Sequence, residues 1–172
     1  MSSQKPISIR IVCTGGTISK TYCETEETLK NRQPIVEAII AGLRLPDVTF
    51  TYDHLLSKDS RDLTAADRSL IVETVRQAAA GHHAVIVLHG TDTLQVTGEM
   101  LCRELQGLSV PVILTGAMRP YEFRDSDALQ NVTESLLAAR FVDAGVYVVM
   151  HNKVLRFPGV VKDWESRTFR QK

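Results

Sequence analysis

The sequence is short of the features that commit a chain to a membrane, to nucleic acid or to a disulfide framework. No run approaches the roughly 18 apolar residues of a membrane-spanning helix, and the opening MSSQKPISIRIV lacks the unbroken apolar stretch of a signal peptide. A cytoplasmic protein with no membrane partner is therefore expected. Net charge is also missing: 20 Lys and Arg balance 20 Asp and Glu. A neutral chain has no general attraction to nucleic acid or anionic lipid, so the expected ligand is a small molecule. Only three cysteines occur, Cys13, Cys23 and Cys102. They are odd in number and lie in no paired metal-ligand spacing, which predicts thiols without disulfide bonds and no zinc site. Repeats, low-complexity tracts and proline-rich linkers are absent, and 172 residues give room for one domain with a sizeable core.

What is present is an alternation of two patterns. Ile7 to Cys13, Val85 to Leu88, Val110 to Leu114 and Val146 to Met150 are short runs rich in Ile, Val and Leu, as strands buried on both faces require. In Val48 to Tyr52 apolar residues alternate with Thr49 and Thr51, which predicts a half-exposed strand near a sheet edge. Helical spacing fills the gaps. Ile35, Ile39 and Leu43 follow Pro34 and stop at Pro46. Thr64 and Asp67 have capping-box spacing ahead of Ile71, Val75 and Ala78, with Gly81 expected just past the C-terminus. Leu94, Gly98, Leu101 and Leu105 make a third stripe, and Leu129, Val132, Leu136 and Ala139 a fourth.

Strands alternating with helices predict an α/β fold: a three-layer domain with a mostly parallel, Rossmann- or flavodoxin-like sheet and helices on both faces. Ligands in such folds bind beyond the carboxyl ends of the strands. That rule selects residues 14–33, 53–64, 89–92 and 115–126 and the segment after Met150.

The first of these loops reads Thr14-Gly15-Gly16-Thr17-Ile18. Two glycines let the backbone turn sharply at a strand end and present Thr17 beside it. A plain glycine turn whose threonine satisfies local backbone groups is the competing reading. A nucleotide loop is the weaker reading, because there is no Gly-x-Gly-x-x-Gly and no Walker lysine. The third loop, His89-Gly90-Thr91-Asp92-Thr93, sets a hydroxyl and a carboxylate at a strand end. Asp92 reads either as a functional carboxylate or as an N-cap worth about 1 kcal/mol; His89 reads as a hydrogen-bonded packing residue. In the fourth, Thr115-Gly116-Ala117-Met118-Arg119-Pro120, the glycine turn brings the backbone of Ala117 within reach of a ligand. Arg119 is expected to pair with Glu122, Asp125 or Asp127.

Taken in order, TGGTI, HGTDT and TGAMRP resemble the bacterial-type L-asparaginase family, and the resemblance runs through nearly all of the chain. It implies an amidohydrolase that converts L-asparagine to L-aspartate and ammonia with no metal or organic cofactor. By that resemblance Thr17 is the nucleophile, Thr91 and Asp92 are the second threonine and the aspartate of the active site, and Lys162 is its lysine, aligned through Val154-Leu155. Tyr22 matches the tyrosine of a flap over the nucleophile. Gly16, Ser60, Arg61, Gly90 and Ala117 fall at substrate-binding positions, with Arg61 standing where glutamine or serine is usual.

The chemistry suits these residue types. An amide is a poor electrophile and a threonine hydroxyl a poor nucleophile, so the site has to take a proton and hold an oxyanion. Two bases are open for Thr17: Tyr22, or the coupled Thr91-Lys162-Asp92 group. The backbone amides of Gly16, Thr17 and Thr91 are the expected oxyanion donors. The resemblance further implies one N-terminal-type catalytic domain over residues 1–172, a short form lacking the usual second domain, assembled as a homo-oligomer, dimer or tetramer. An amidase preferring glutamine or another amide, and a catalytically silent amino-acid-binding or regulatory module, are the alternatives.

Overall fold

The computed structural model describes residues 5–31 and 35–172. Along the chain it contains β1 (Ile7–Gly15), β2 (Lys20–Cys23), β3 (Thr28–Asn31), α1 (Ile35–Ala41), β4 (Val48–Lys58), α2 (Ala65–Gly81), β5 (Ala84–Leu88), α3 (Leu94–Glu104), β6 (Pro111–Thr115), α4 (Ala128–Ala138), β7 (Gly145–Met150), β8 (Lys153–Arg156), β9 (Val160–Asp163) and β10 (Thr168–Gln171). Pro34, the expected start of the first helix, lies outside the described residues.

Six strands form one sheet in the order β4-β1-β5-β6-β7-β8. The first five are parallel, and β8 returns antiparallel beside β7. In terms of the parallel strands alone the order is 2-1-3-4-5, the flavodoxin-like arrangement. Because strand side chains alternate between faces, each strand feeds two cores. Val12, Val85, Val87, Val112, Leu114, Val146 and Val148 meet α2 and α3 on one face. Ile9, Ile11, Ile86, Leu88, Ile113, Tyr147 and Val149 meet α1 and α4 on the other. This is the expected three-layer α/β domain, and it explains why the inner strands read as unbroken apolar runs.

The strand at Val48 lies at a sheet edge as its alternation predicts, but it runs on to Lys58, so the first half of the expected second loop is strand. Thr64 and Asp67 form the capping box in both directions. Gly81 is the last residue of α2 rather than the residue beyond it, and His82 follows in an extended conformation. On α4 the stripe is rotated: Leu129 is exposed, and Ala128, Val132, Ser135 and Leu136 face the sheet. Two small antiparallel hairpins, β2–β3 and β9–β10, stand apart from the main sheet. Burial pushes the Cys13 thiol up to about 12. No helix among the described residues is long and apolar enough to cross a membrane.

Candidate active site

The strand order reverses at β1: β4 flanks it on one side and β5 on the other. Loops leaving the carboxyl ends of strands at such a point form the ligand crevice of open α/β sheets. Here those loops touch. Gly16 has φ of +83°, and a Cβ on it would lie 2.5 Å from both Cα and N of Gly90. A Cβ on Gly90 would in turn lie 2.7 Å from Cβ of Ser60. Neither glycine can therefore gain a side chain without parting the loops, which brings the first, second and third loops into direct contact. Thr17 opens a single 3₁₀ turn, Thr17–Ser19, and is half-buried. The Gly16 amide donates to the Lys58 carbonyl at 2.9 Å. It is committed to the neighbouring strand, which removes it from the expected oxyanion donors.

The expected lysine arrives on β9. Lys162 Nζ donates to Thr91 Oγ1 at 2.9 Å and to Asp92 Oδ1 at 2.6 Å, with its side chain only 5 % exposed. Asp92 makes no N-cap bond; Thr93 occupies the cap position of α3. The carboxylate is spent on cations instead, since Arg61 Nε stands 3.5 Å from Asp92 Oδ2. A Lys–carboxylate contact of this kind is worth most where water is scarce, as it is around this ammonium.

Below the third loop runs a buried polar chain. Arg68 donates to Thr97 Oγ1 and, at 3.0 Å, to Thr93 Oγ1. The Thr97 hydroxyl lies 2.8 Å from His89 Nε2, and His89 Nδ1 lies 2.8 Å from the Gly90 carbonyl. Burial pulls the His89 imidazole down to about 4. A neutral ring then donates from Nδ1 to Gly90 and accepts from Thr97 at Nε2. His89 is a packing residue, as its sequence context suggests.

Ser60 is 2 % exposed; its hydroxyl accepts from the Thr93 amide at 3.3 Å and its carbonyl from the Thr93 hydroxyl at 2.7 Å. Its visible work is to join the second loop to the third. The Arg61 side chain is 68 % exposed and forks onto Asp59 at 3.1 and 3.2 Å, while Lys20 reaches the same carboxylate at 3.0 Å. These bonds hold Asp59 well below the usual carboxylate range.

In the fourth loop Arg119 pairs with Asp125, one of its three expected partners. Ala117 is buried. The loop is braced by Asp127, whose oxygens accept from the amides of Met118 and Arg119 at 3.0 Å, from Asn131 Nδ2 at 2.8 Å, and bond His151 Nε2 at 2.8 Å. Burial raises this carboxyl, but the hydrogen bonds led by His151 outweigh it and bring it to about 2. His151 Nδ1 continues to Thr168 Oγ1 at 3.0 Å, linking the loop to the hairpin that carries Lys162. Tyr22 lies on β2, half in solvent, and its backbone amide donates to Glu122 of the fourth loop at 2.9 Å.

Thr91, Asp92 and Lys162 thus meet directly, Gly16, Gly90 and Ser60 bring their loops together, and Tyr22 is tied by its backbone to the fourth loop. Residues with no sequence-level role also enter. Asp59 and His151 carried no motif, Asp127 was expected only as a partner of Arg119, and Trp164, whose ring centre lies 4.2 Å from Lys162 Nζ, was not singled out.

A sheet of this order with a hydroxyl, an ammonium and a carboxylate bonded at its switch point describes an α/β protein with a polar ligand site. The chain belongs to the asparaginase family: the description of its N-terminal domain matches residues 8–169. It is 30% identical to an L-asparaginase of Thermococcus kodakarensis over 151 residues, covering 87% of this chain and 45% of that protein. It is 34% identical to one subunit of the glutamyl-tRNA(Gln) amidotransferase of Aeropyrum pernix over 152 residues, covering 84% of this chain and 35% of that protein. The solved structure of the thermostable L-asparaginase from Thermococcus kodakarensis superposes with a TM-score of 0.86 at 26% identity, over 95% of this chain and 51% of that one. The chain spans about half or less of the length of these relatives.

Proposed function

We propose that the protein is an amidohydrolase that cleaves the side-chain amide of L-asparagine through an acyl-enzyme on Thr17. The observation that carries this reading is the bonding of a nearly buried lysine to both Thr91 and Asp92 beside the Thr17 turn. Thr91, Lys162 and Asp92 act as one coupled proton-holding group. The group accepts when its shared proton rests on Asp92 and leaves Lys162 neutral: a proton leaving Thr17 then passes through the Thr91 hydroxyl to Lys162. The Thr17 oxygen attacks the amide carbon, the C–N bond breaks, and the nitrogen takes up a proton to leave as ammonia. Water then attacks the β-aspartyl ester, releasing aspartate and restoring the threonine hydroxyl. The amides of Thr17 and Thr91 supply the oxyanion hydrogen bonds. Arg61, exposed and anchored on Asp59, offers its cation to the substrate carboxylate.

Similarity to an amidotransferase component keeps glutamine open as the amide, and the two substrates differ by one methylene, worth about 1 to 3 kcal/mol in a fitted pocket. Ammonia release from L-asparagine and L-glutamine, with Thr17→Ala alongside, tests both readings. The expected result is asparagine turnover abolished in a Thr17→Ala variant that keeps its circular dichroism. A folded parent that releases no ammonia from either amide rejects the hydrolase and leaves an amino-acid-binding module.

A further inference from the structure

Trp164 is the single tryptophan of the chain, and 65 % of it is exposed. It stands just past β9, two residues beyond Lys162, where side chains two apart on an extended segment share a side. The turn that carries it is fixed locally, because the Asp163 carboxylate accepts from the amides of Glu165 and Ser166 at 3.1 and 3.3 Å. The indole is thereby held with its ring centre 4.2 Å from Lys162 Nζ.

An indole face carries partial negative charge and attracts an ammonium, the more strongly as water is excluded. The Lys162 ammonium therefore has three neighbours: the Thr91 hydroxyl, the Asp92 carboxylate and the ring of Trp164. The first two fix its position by hydrogen bonds. The third offers no directional bond, but it covers a charged group whose side chain is 5 % exposed. Core packing does not account for the residue, since most of the indole lies in solvent, and a small polar side chain would serve the turn as well.

We propose that Trp164 is a positioning residue for the active-site lysine, its ring holding the Lys162 ammonium against Thr91 and Asp92 and shielding it from water. This rests on the amidohydrolase reading, and the test separates the two. Because Trp164 is the only indole, the intrinsic emission of the full chain reports its surroundings without any substrate. Lys162→Met, which keeps the length of the side chain and removes its charge, is expected to change that emission; a spectrum identical to that of the parent overturns the contact.

In asparagine hydrolysis, Trp164→Leu is expected to lower kcat by about three- to thirtyfold, the range of a cation–π contact, with KM within about twofold and the circular dichroism of the parent. Trp164→Phe, which restores a ring face, recovers most of the loss. Parental kcat in Trp164→Leu, or a Phe variant as slow as the Leu variant, overturns the positioning role. Should the parent release no ammonia, the hydrolase reading fails by itself. The emission of Lys162→Met then still decides: a change upholds the pairing of Trp164 with the lysine, and no change removes it.

Discussion

Gly98 on α3 lies flat against the ring of Phe157: a Cβ at Gly98 would come 2.1 Å from Cζ of the phenylalanine, with the two Cε atoms at 2.5 and 2.6 Å. Phe157 is buried and precedes β9 by three residues, so this contact seats the segment that leads to Lys162.

Gly98→Ala is accordingly expected to destabilise the protein although it removes a glycine from a helix. The propensity gain is about 1 kcal/mol, whereas driving a methyl group into a well-packed ring costs about 1–3 kcal/mol. A net loss of up to about 2 kcal/mol in urea denaturation is the expected outcome. A variant more stable than the parent would mean that Phe157 gives way freely.

The buried imidazole of His89 makes stability depend on pH in a defined window. Its folded value of about 4 lies below the ordinary 6.5, so between the two the unfolded chain binds a proton that the folded chain refuses. Stability from this group is complete above about 6.5, is lost as pH falls toward 4, and amounts to roughly 3 kcal/mol. Denaturation midpoints followed from about pH 7 to about pH 4 should fall less steeply in His89→Gln than in the parent. Parallel curves would show that His89 is not the group responsible.

Thr91 and Lys162 are expected to act as one unit. Removal of a positioned acid–base group costs about 10²–10⁴ in rate, and members of one catalytic group are not additive. Thr91→Ala and Lys162→Met should each lower kcat within that range, and the double variant should be little worse than the slower single one. Losses that multiply in the double variant would place the two residues in separate steps.

The inner sheet was legible because strands covered on both faces need unbroken apolar runs, as in Ile7 to Cys13 and Val85 to Leu88. The capping box at Thr64 was legible because it is a local pattern. The hairpins were not. Lys20–Cys23, Thr28–Asn31 and Val160–Asp163 are four-residue strands with mixed exposure, too short for a period to declare itself. Leu129 misled because one turned residue on a helix shifts the inferred stripe while the neighbouring Ala128, a small residue, hides the true one.

Within the site, Asp92 carried two readings that only the arrival of Lys162 from 70 residues away could separate. The commitment of the Gly16 amide to Lys58 depended on where β4 ends, which its sequence pattern understated. The Asp127–His151–Thr168 link joins three elements that share no motif, so no linear spacing pointed to it.

The span between Asp92 and Lys162 contains α3, β6, α4, β7 and β8. Closing so long a loop is entropically slow and is rewarded only when the intervening elements are already seated. The contacts of Lys162 with Thr91 and Asp92 are therefore expected to form late in folding, after the intervening elements are seated. A chain in which β9 has not docked is then expected to leave Thr91 and Asp92 without the lysine that joins them.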